Sequence, residues 1–363
     1  FEALSQAFGF IPSRDEGKIT GLAATGDASR VNEPIPYTLV DGTLTYTGPV
    51  GRKRVDWVRG ELLPRYGRAD VSAWAQDLLE RFTIDVARTW LQKTGLRSLV
   101  VAGGVFANVK LNQHLHELDE VERLFVYPNM GDGGLSLGAI CETQGFQPKP
   151  IQNVFLGEAY TDEQIAATLT KAGLSFEPMA DPEKTVAELL AKDLVVGRFH
   201  GAMEWGPRAL GNRSILVRAV DPQITGRLNK MLTRSDFMPF APALPAEDAE
   251  LYCHGVDAAR FTAEFMTVCF RCTERMHLEH GPVVHVDGTA RAQLVKKENN
   301  PTFHRILTEL KARVGSGVVL NTSFNIHEEP IIRTPEHAVN AFLAAGLDYL
   351  AIGRYLVKQP RSA

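Results

Sequence analysis

The sequence is poor in cysteine. Four in 363 residues cannot supply a disulfide framework, which excludes a small secreted scaffold and points to a reducing compartment. No apolar run approaches the roughly 18 residues a membrane span needs. A basic excess is missing too: 39 Lys+Arg against 43 Asp+Glu leave a net charge of −4. Such a chain is a poor candidate for wrapping nucleic acid or coating an anionic membrane. It has no internal repeat, no low-complexity tract and no signal peptide, and it opens on Phe1-Glu2-Ala3-Leu4 rather than Met. What remains is near the globular average, with 44% hydrophobic and 23% charged residues. At roughly 150 residues per domain, the length suggests about two domains. The expectation is a soluble cytoplasmic enzyme whose beginning lies upstream of Phe1.

Periodicity sets out an α/β chain. Asp41-Gly42 between two short β-prone runs predicts a tight hairpin. Val71, Trp74, Leu78, Phe82, Val86 and Trp90 recur at helical spacing, and Gly95 ends that helix. Two strand–glycine–helix units follow. Leu99–Ala102 enters Gly103-Gly104, and Leu124–Tyr127 enters Gly131-Asp132-Gly133-Gly134. Prolines 148 and 150 predict a linker. Beyond it, Thr161–Ala172, Pro182–Ala191, Asn300–Arg313 and Pro335–Ala344 read as helices. Leu194–Phe199 and Gly317–Leu320 read as buried strands. Two α/β domains, 1–150 and 151–363, are expected.

Several segments carry chemistry. A strand that ends in paired glycines and opens a helix lets backbone N–H groups approach a phosphate. Single turns of this kind are common; two in one domain, with Asp132 at a strand end where it could hold a cation, point to a nucleotide. The densest stretch is Phe199 to Ser214, with Glu204, Trp205, Arg208 and Arg213 among three glycines. Guanidinium groups pair bidentately with phosphate oxygens, so this stretch suits an anion clamp. Lys230, Arg234 and Arg291 add charge, and Asn321-Thr322-Ser323-Phe324-Asn325 supplies small donors at a strand end. Together they predict an anion-and-nucleotide pocket. Cys269 and Cys272 have C-x-x-C spacing but no second cysteine pair, and a buried strand explains them better than a metal. His114 and His116 stand two apart on a predicted helix and face different sides.

These residues, in this order, resemble the O-carbamoyltransferases of the nodulation-factor and cephalosporin type. The likeness runs through Asp15-Glu16-Gly17-Lys18, Gly103-Gly104-Val105, Gly131–Gly134 and the Met203–Ser214 block. It continues through Phe237–Pro242, His285–Arg291 and Asn321–Asn325. The resemblance implies the C-terminal part of an actin/hexokinase-superfamily domain over 1–150. It implies a YrdC-like α/β domain over 151–363. It also implies that carbamoyl phosphate and ATP are turned into carbamoyl adenylate, whose carbamoyl group passes to a hydroxyl of a small-molecule or glycoside acceptor. By the same resemblance Arg208, Arg213, Arg291 and Ser323 are catalytic. Lys18, Gly103, Gly104, Asn108, Gly131, Arg234, Asn321 and Asn325 bind the nucleotide and carbamoyl phosphate, and Asp132 is one ligand of iron or another divalent metal. The family's His-x-x-x-His pair lies upstream of the Asp15–Lys18 block, where this chain has only fourteen residues and no such pair. The expectation is therefore a truncated first domain, with exposed sheet edges that favour a homodimer or aggregation. Met238 stands where many members carry Arg.

Three other readings compete. A sugar-kinase-like phosphotransferase explains the glycine turns but not the arginine blocks. Threonylcarbamoyl transfer to tRNA fits the folds but lacks a basic surface. A non-catalytic nucleotide-binding fragment would bind ATP without turning it over.

Overall fold

The computed structural model describes residues 1–145, 149–233, 239–326 and 329–360. The chain divides into two compact units. The first holds 1–100, 108–125 and 237–239; the second holds 101–107, 126–236 and 240–363.

In the first unit, β1 (Tyr37–Val40) and β2 (Thr43–Tyr46) form the expected hairpin. Asp41 and Gly42 take φ values of 53° and 80°, the two left-handed positions of a primed turn. The long helix Leu63–Thr94 ends on left-handed Gly95, as its sequence predicts. Non-helical Gly67 (φ 75°, ψ 170°) breaks this stretch near its start, so the helix that carries the apolar spacing begins just after it. Leu4, Phe8, Ile19, Val58, Leu62, Val71, Trp74 and Leu78 form the core of this unit.

β3 (Ser98–Val101) and β4 (Arg123–Val126) form a second two-stranded sheet. The second unit is organised by an eight-stranded mixed sheet. Its strands are β5 (Phe176–Pro178), β6 (Val196–Phe199), β7 (Arg213–Arg218), β8 (Ala241–Pro245), β11 (Gln293–Val295), β12 (Val319–Ser323), β13 (Tyr349–Ile352) and β14 (Tyr355–Lys358). A two-residue ribbon, β9 (Phe270–Arg271) with β10 (Thr289–Ala290), lies outside it. Spatial order is β11-β8-β12-β7-β6-β13-β14-β5. The central strands are buried along almost their whole length, as expected when helices cover a sheet. Helices Pro182–Leu190 and Pro301–Val314 pack together on a core of Val186, Leu190, Val196, Leu216, Ala243, Phe303 and Val319.

Strand β7 runs antiparallel to both β6 and β12. Arg213 lies opposite Phe199, and Ser214 opposite Ser323. This register gathers the ends of three strands, with their loops, at one edge of the sheet. The sequence reads Asn321–Asn325 as a strand exit, but β12 continues through Ser323, because Asn321 and Thr322 keep their ladder partners on β7.

Candidate functional site

The loop from Met203 to Asn212 is shaped by a carboxylate. Glu204, 4% exposed, accepts the peptide N–H groups of Leu210 (2.8 Å), Asn212 (2.6 Å) and Arg213 (3.1 Å) on one oxygen. Arg213 is fully buried and lies over the Phe199 ring, 3.7 Å from its centroid. Its two terminal nitrogens donate to the carbonyls of His200, Asn212, Glu158 and Gly201 at 2.9–3.1 Å. Arg198 supports the same turn, donating to Gly211 O (2.5 Å), Asn212 Oδ1 (3.0 Å) and Thr302 Oγ1 (2.8 Å). Burial lowers both guanidinium pKa values to about 10. Charged Arg198, with burial and Arg213 behind it, pushes His200 down to about 3.

Arg208 and Arg291 differ in kind. Both are half-buried, and neither has a carboxylate partner among the described residues; the one acidic group that acts on both is the buried Cys269 thiol. Arg208 reaches only the Ala107 carbonyl, at 3.4 Å, and its buried Nε has no hydrogen bond. Burial first, and then the charge of Arg291, drive the Arg208 pKa well below its ordinary value; burial also lowers that of Arg291. Arginine keeps its proton in proteins. Burial disfavours both charges, and the nearby Arg291 adds like-charge repulsion at Arg208.

The second unit also contains both glycine turns. Gly103 N–H donates to Met130 O at 2.7 Å, with Gly103 at φ 113°. Trp205 meets the Tyr127 ring edge-on at 5.8 Å, and a Cβ on Gly206 would lie 3.2 Å from Pro128 O. The Trp205–Arg208 loop therefore lies against the turns that carry Gly103, Gly104 and Gly131. Asn321 donates to Ala209 O (3.2 Å) and Gln293 Oε1 (2.8 Å). Ser323 Oγ donates to Asn325 Oδ1 at 2.6 Å, and Asn325 donates to Glu329 O.

Two candidates belong to the first unit. Lys18 pairs with Asp15 at 3.1 Å. Asn108 caps the helix Val109–His116 and exchanges hydrogen bonds with Gln76, so every polar atom of its side chain is used. Arg234 and Met238 lie outside the described residues. Asp132 is exposed in a short turn, and no group of three or more His, Cys, Asp or Glu among the described residues could hold a metal. The residues described do not make the metal site that the resemblance implies, and no step is derived through one. Cys253, Cys269 and Cys272 are buried thiols. Glu204 was part of the stretch read as an anion clamp, whereas Arg198 and Gln293 gave no signal as site-builders, because their partners include backbone groups and side chains distant in sequence.

Two family models match. The carbamoyltransferase N-terminus covers residues 51–141 and the carbamoyltransferase C-terminus covers 187–359. The chain belongs to the carbamoyltransferase family. Among its relatives, an uncharacterized protein of Methanocaldococcus jannaschii is 32% identical over 99% of this chain and 71% of its own length. Nodulation protein NolO of Bradyrhizobium diazoefficiens is 33% identical over 96% and 66%. The 3'-hydroxymethylcephem-O-carbamoyltransferase of Amycolatopsis lactamdurans is 29% identical over 93% and 64%. This chain thus spans about two thirds of their lengths. The crystal structure of T. kodakarensis HypF aligns with 49% of this chain and 22% of that one, at 19% identity and a TM-score of 0.35. No helix among the described residues is long and apolar enough to cross a membrane.

Proposed function

We propose that this chain is part of an ATP-dependent O-carbamoyltransferase. Its second domain makes carbamoyl adenylate from carbamoyl phosphate and ATP, and the carbamoyl group then passes to a hydroxyl of a small-molecule or glycoside acceptor. We place the two family domains at 1–150 and 151–363, in keeping with the spans of the two matched family models, with the first resembling actin/hexokinase folds and the second YrdC. The observation that carries the reading is the Arg208–Arg291 pair: two half-buried cations with no carboxylate partner among the described residues, with Arg208 on a loop that lies against the glycine turns.

The chemistry asks for such a pair. Joining carbamoyl phosphate to ATP releases phosphate from one and pyrophosphate from the other, and water supplies the oxygen that balances them. Negative charge grows on the departing groups, and preorganised guanidinium donors stabilise it without reorganising. Bidentate geometry fits phosphate oxygens better than an ammonium does. Ser323 and Asn325 stand ready as further polar contacts, and Arg213 acts by holding the loop. The later step, attack of the acceptor hydroxyl on the carbamoyl carbon, expels AMP, a better leaving group than hydroxide.

The test is pyrophosphate release from ATP, with and without carbamoyl phosphate, by the whole chain and its Arg208→Ala and Arg291→Ala variants. Carbamoyl-phosphate-dependent release that falls at least about 30-fold in each variant supports the reading, the cost of a lost buried charged contact being about 2–5 kcal/mol. Equal release by all three proteins overturns it.

A further inference from the structure

Gln293 occupies a position the anion reading leaves unused. It is 2% exposed and stands two residues after Arg291. Its Nε2 donates to Leu210 O at 2.9 Å, and Leu210 stands two residues after Arg208. One hydrogen bond therefore links the two arginine-bearing segments, and each arginine is within about 7 Å of chain from an end of it. The two arginine charges repel one another, and no carboxylate partner offsets this among the described residues, so a neutral bond between the segments opposes the repulsion.

The amide orientation is forced. Ala209 O and Leu210 O can only accept, so Asn321 must turn its Nδ2 toward the first and Gln293 its Nε2 toward the second. Gln293 Oε1 is then left to accept the second Nδ2 proton of Asn321, at 2.8 Å. Asn321 is pinned in turn by the ladder of β12 between β7 and β8. The result is a buried amide bracket from the middle of the sheet to both arginine segments.

The geometry points to Gln293 as a positioning residue that sets the spacing of Arg208 and Arg291, and so the affinity of the site for phosphate-bearing anions. This rests on the anion-site reading above. Gln293 itself touches no ligand. Its effect runs through the arginines, which a residue needed only for the fold would not share.

The experiment measures carbamoyl-phosphate binding by calorimetry and melting temperature for the whole chain, Q293M, R291A and the double variant. Loss of both Gln293 hydrogen bonds at the bracket should weaken binding at least about 5–10-fold in Q293M. In the R291A background the same change should have almost no further effect, since the spacing no longer matters. Q293N keeps an amide in the core but is one methylene too short to span Leu210 and Asn321. It should show the same loss, and it serves as the test if Q293M does not fold. Equal affinity of Q293N or Q293M and the parent chain, or additive losses in the double variant, would overturn the positioning role. Unchanged binding in R291A would instead overturn the anion-site reading beneath it.

Discussion

Glu204 and Arg213 are joined through the backbone as well as by the attraction of their charges. The peptide N–H of Arg213 donates to Glu204 Oε1 at 3.1 Å, while its guanidinium turns to four carbonyl oxygens. The carboxylate gathers N–H groups and the guanidinium gathers C=O groups, so between them they satisfy a loop with little regular structure. Buried peptide groups left unpaired are costly. This pair is what lets an irregular loop sit at the end of a buried sheet.

Replacing Glu204 by Ala strands three peptide donors at once. We expect a loss of about 3–5 kcal/mol, seen as a melting temperature lower by roughly 10 °C. Glu204→Gln keeps a carbonyl acceptor and should lose less than half as much.

Arg208 poses the reverse case. Because its charge is half-buried with no carboxylate partner among the described residues, Arg208→Met should leave the ligand-free protein as stable as before or more so, while abolishing its response to anions. Thermal melts with and without pyrophosphate read both effects. The parent chain should gain about 2.7 kcal/mol at a hundredfold excess over Kd, and the variant nothing. A variant that melts much lower without anion would show that Arg208 is structural.

Two histidines make stability depend on pH. His200 is held to about 3, mainly by Arg198, and His280 to about 4, mainly by burial, against an ordinary 6.5. Both stay neutral in the folded protein and take up a proton on unfolding, so their contribution is complete above about pH 6.5. It falls as pH drops toward the folded values, by on the order of 2 kcal/mol each at pH 5. Denaturant titrations of the parent chain and His200→Asn between pH 7 and 5 test this. The variant should show the shallower decline.

Gly211 separates space from conformation. Its φ is 113°, and a Cβ there would lie 2.4 Å from Phe303 Cδ1. Gly315 has φ 83° with nothing within 4 Å. Gly315→Ala should cost about 1 kcal/mol, for backbone strain alone. Gly211→Ala adds overpacking and should cost about 2–4 kcal/mol. Equal melting temperatures for the two variants would remove the steric argument.

What the sequence could and could not announce follows from range. The hairpin at Asp41-Gly42, the helix ending at Gly95 and the helix Pro335–Ala345 depend on neighbours within a few residues, and all three stand where their residues indicate. Strand β7 was hidden inside a stretch read as a clamp loop, since Arg213 and Ser214 look like surface chemistry until Ser323 pairs beside them. β13 and β14 went unread for a similar reason, as β13 pairs with β6 and β14 with β5, both far away in sequence. Arg208 and Arg291 were legible as cations, but their lack of carboxylate partners is a fact of three dimensions. Gln293 gave no local signal at all.

Arg208 Nη2 reaches the Ala107 carbonyl across 101 residues of chain, and Gly206 lies against Pro128 O. A ribosome adding about 5–20 residues per second makes Ala107 roughly 5–20 s before Arg208. During that interval the first glycine turn, and later the second, exist without the loop that lies on them. Residues 108–125, made in between, belong to the other unit. The part of the second unit that holds the glycine turns and the Arg208 loop is therefore assembled late, from its earliest and its middle segments. Splitting the chain near residue 150 would leave each half of a fusion or expression design without contacts that only the uncut chain can make.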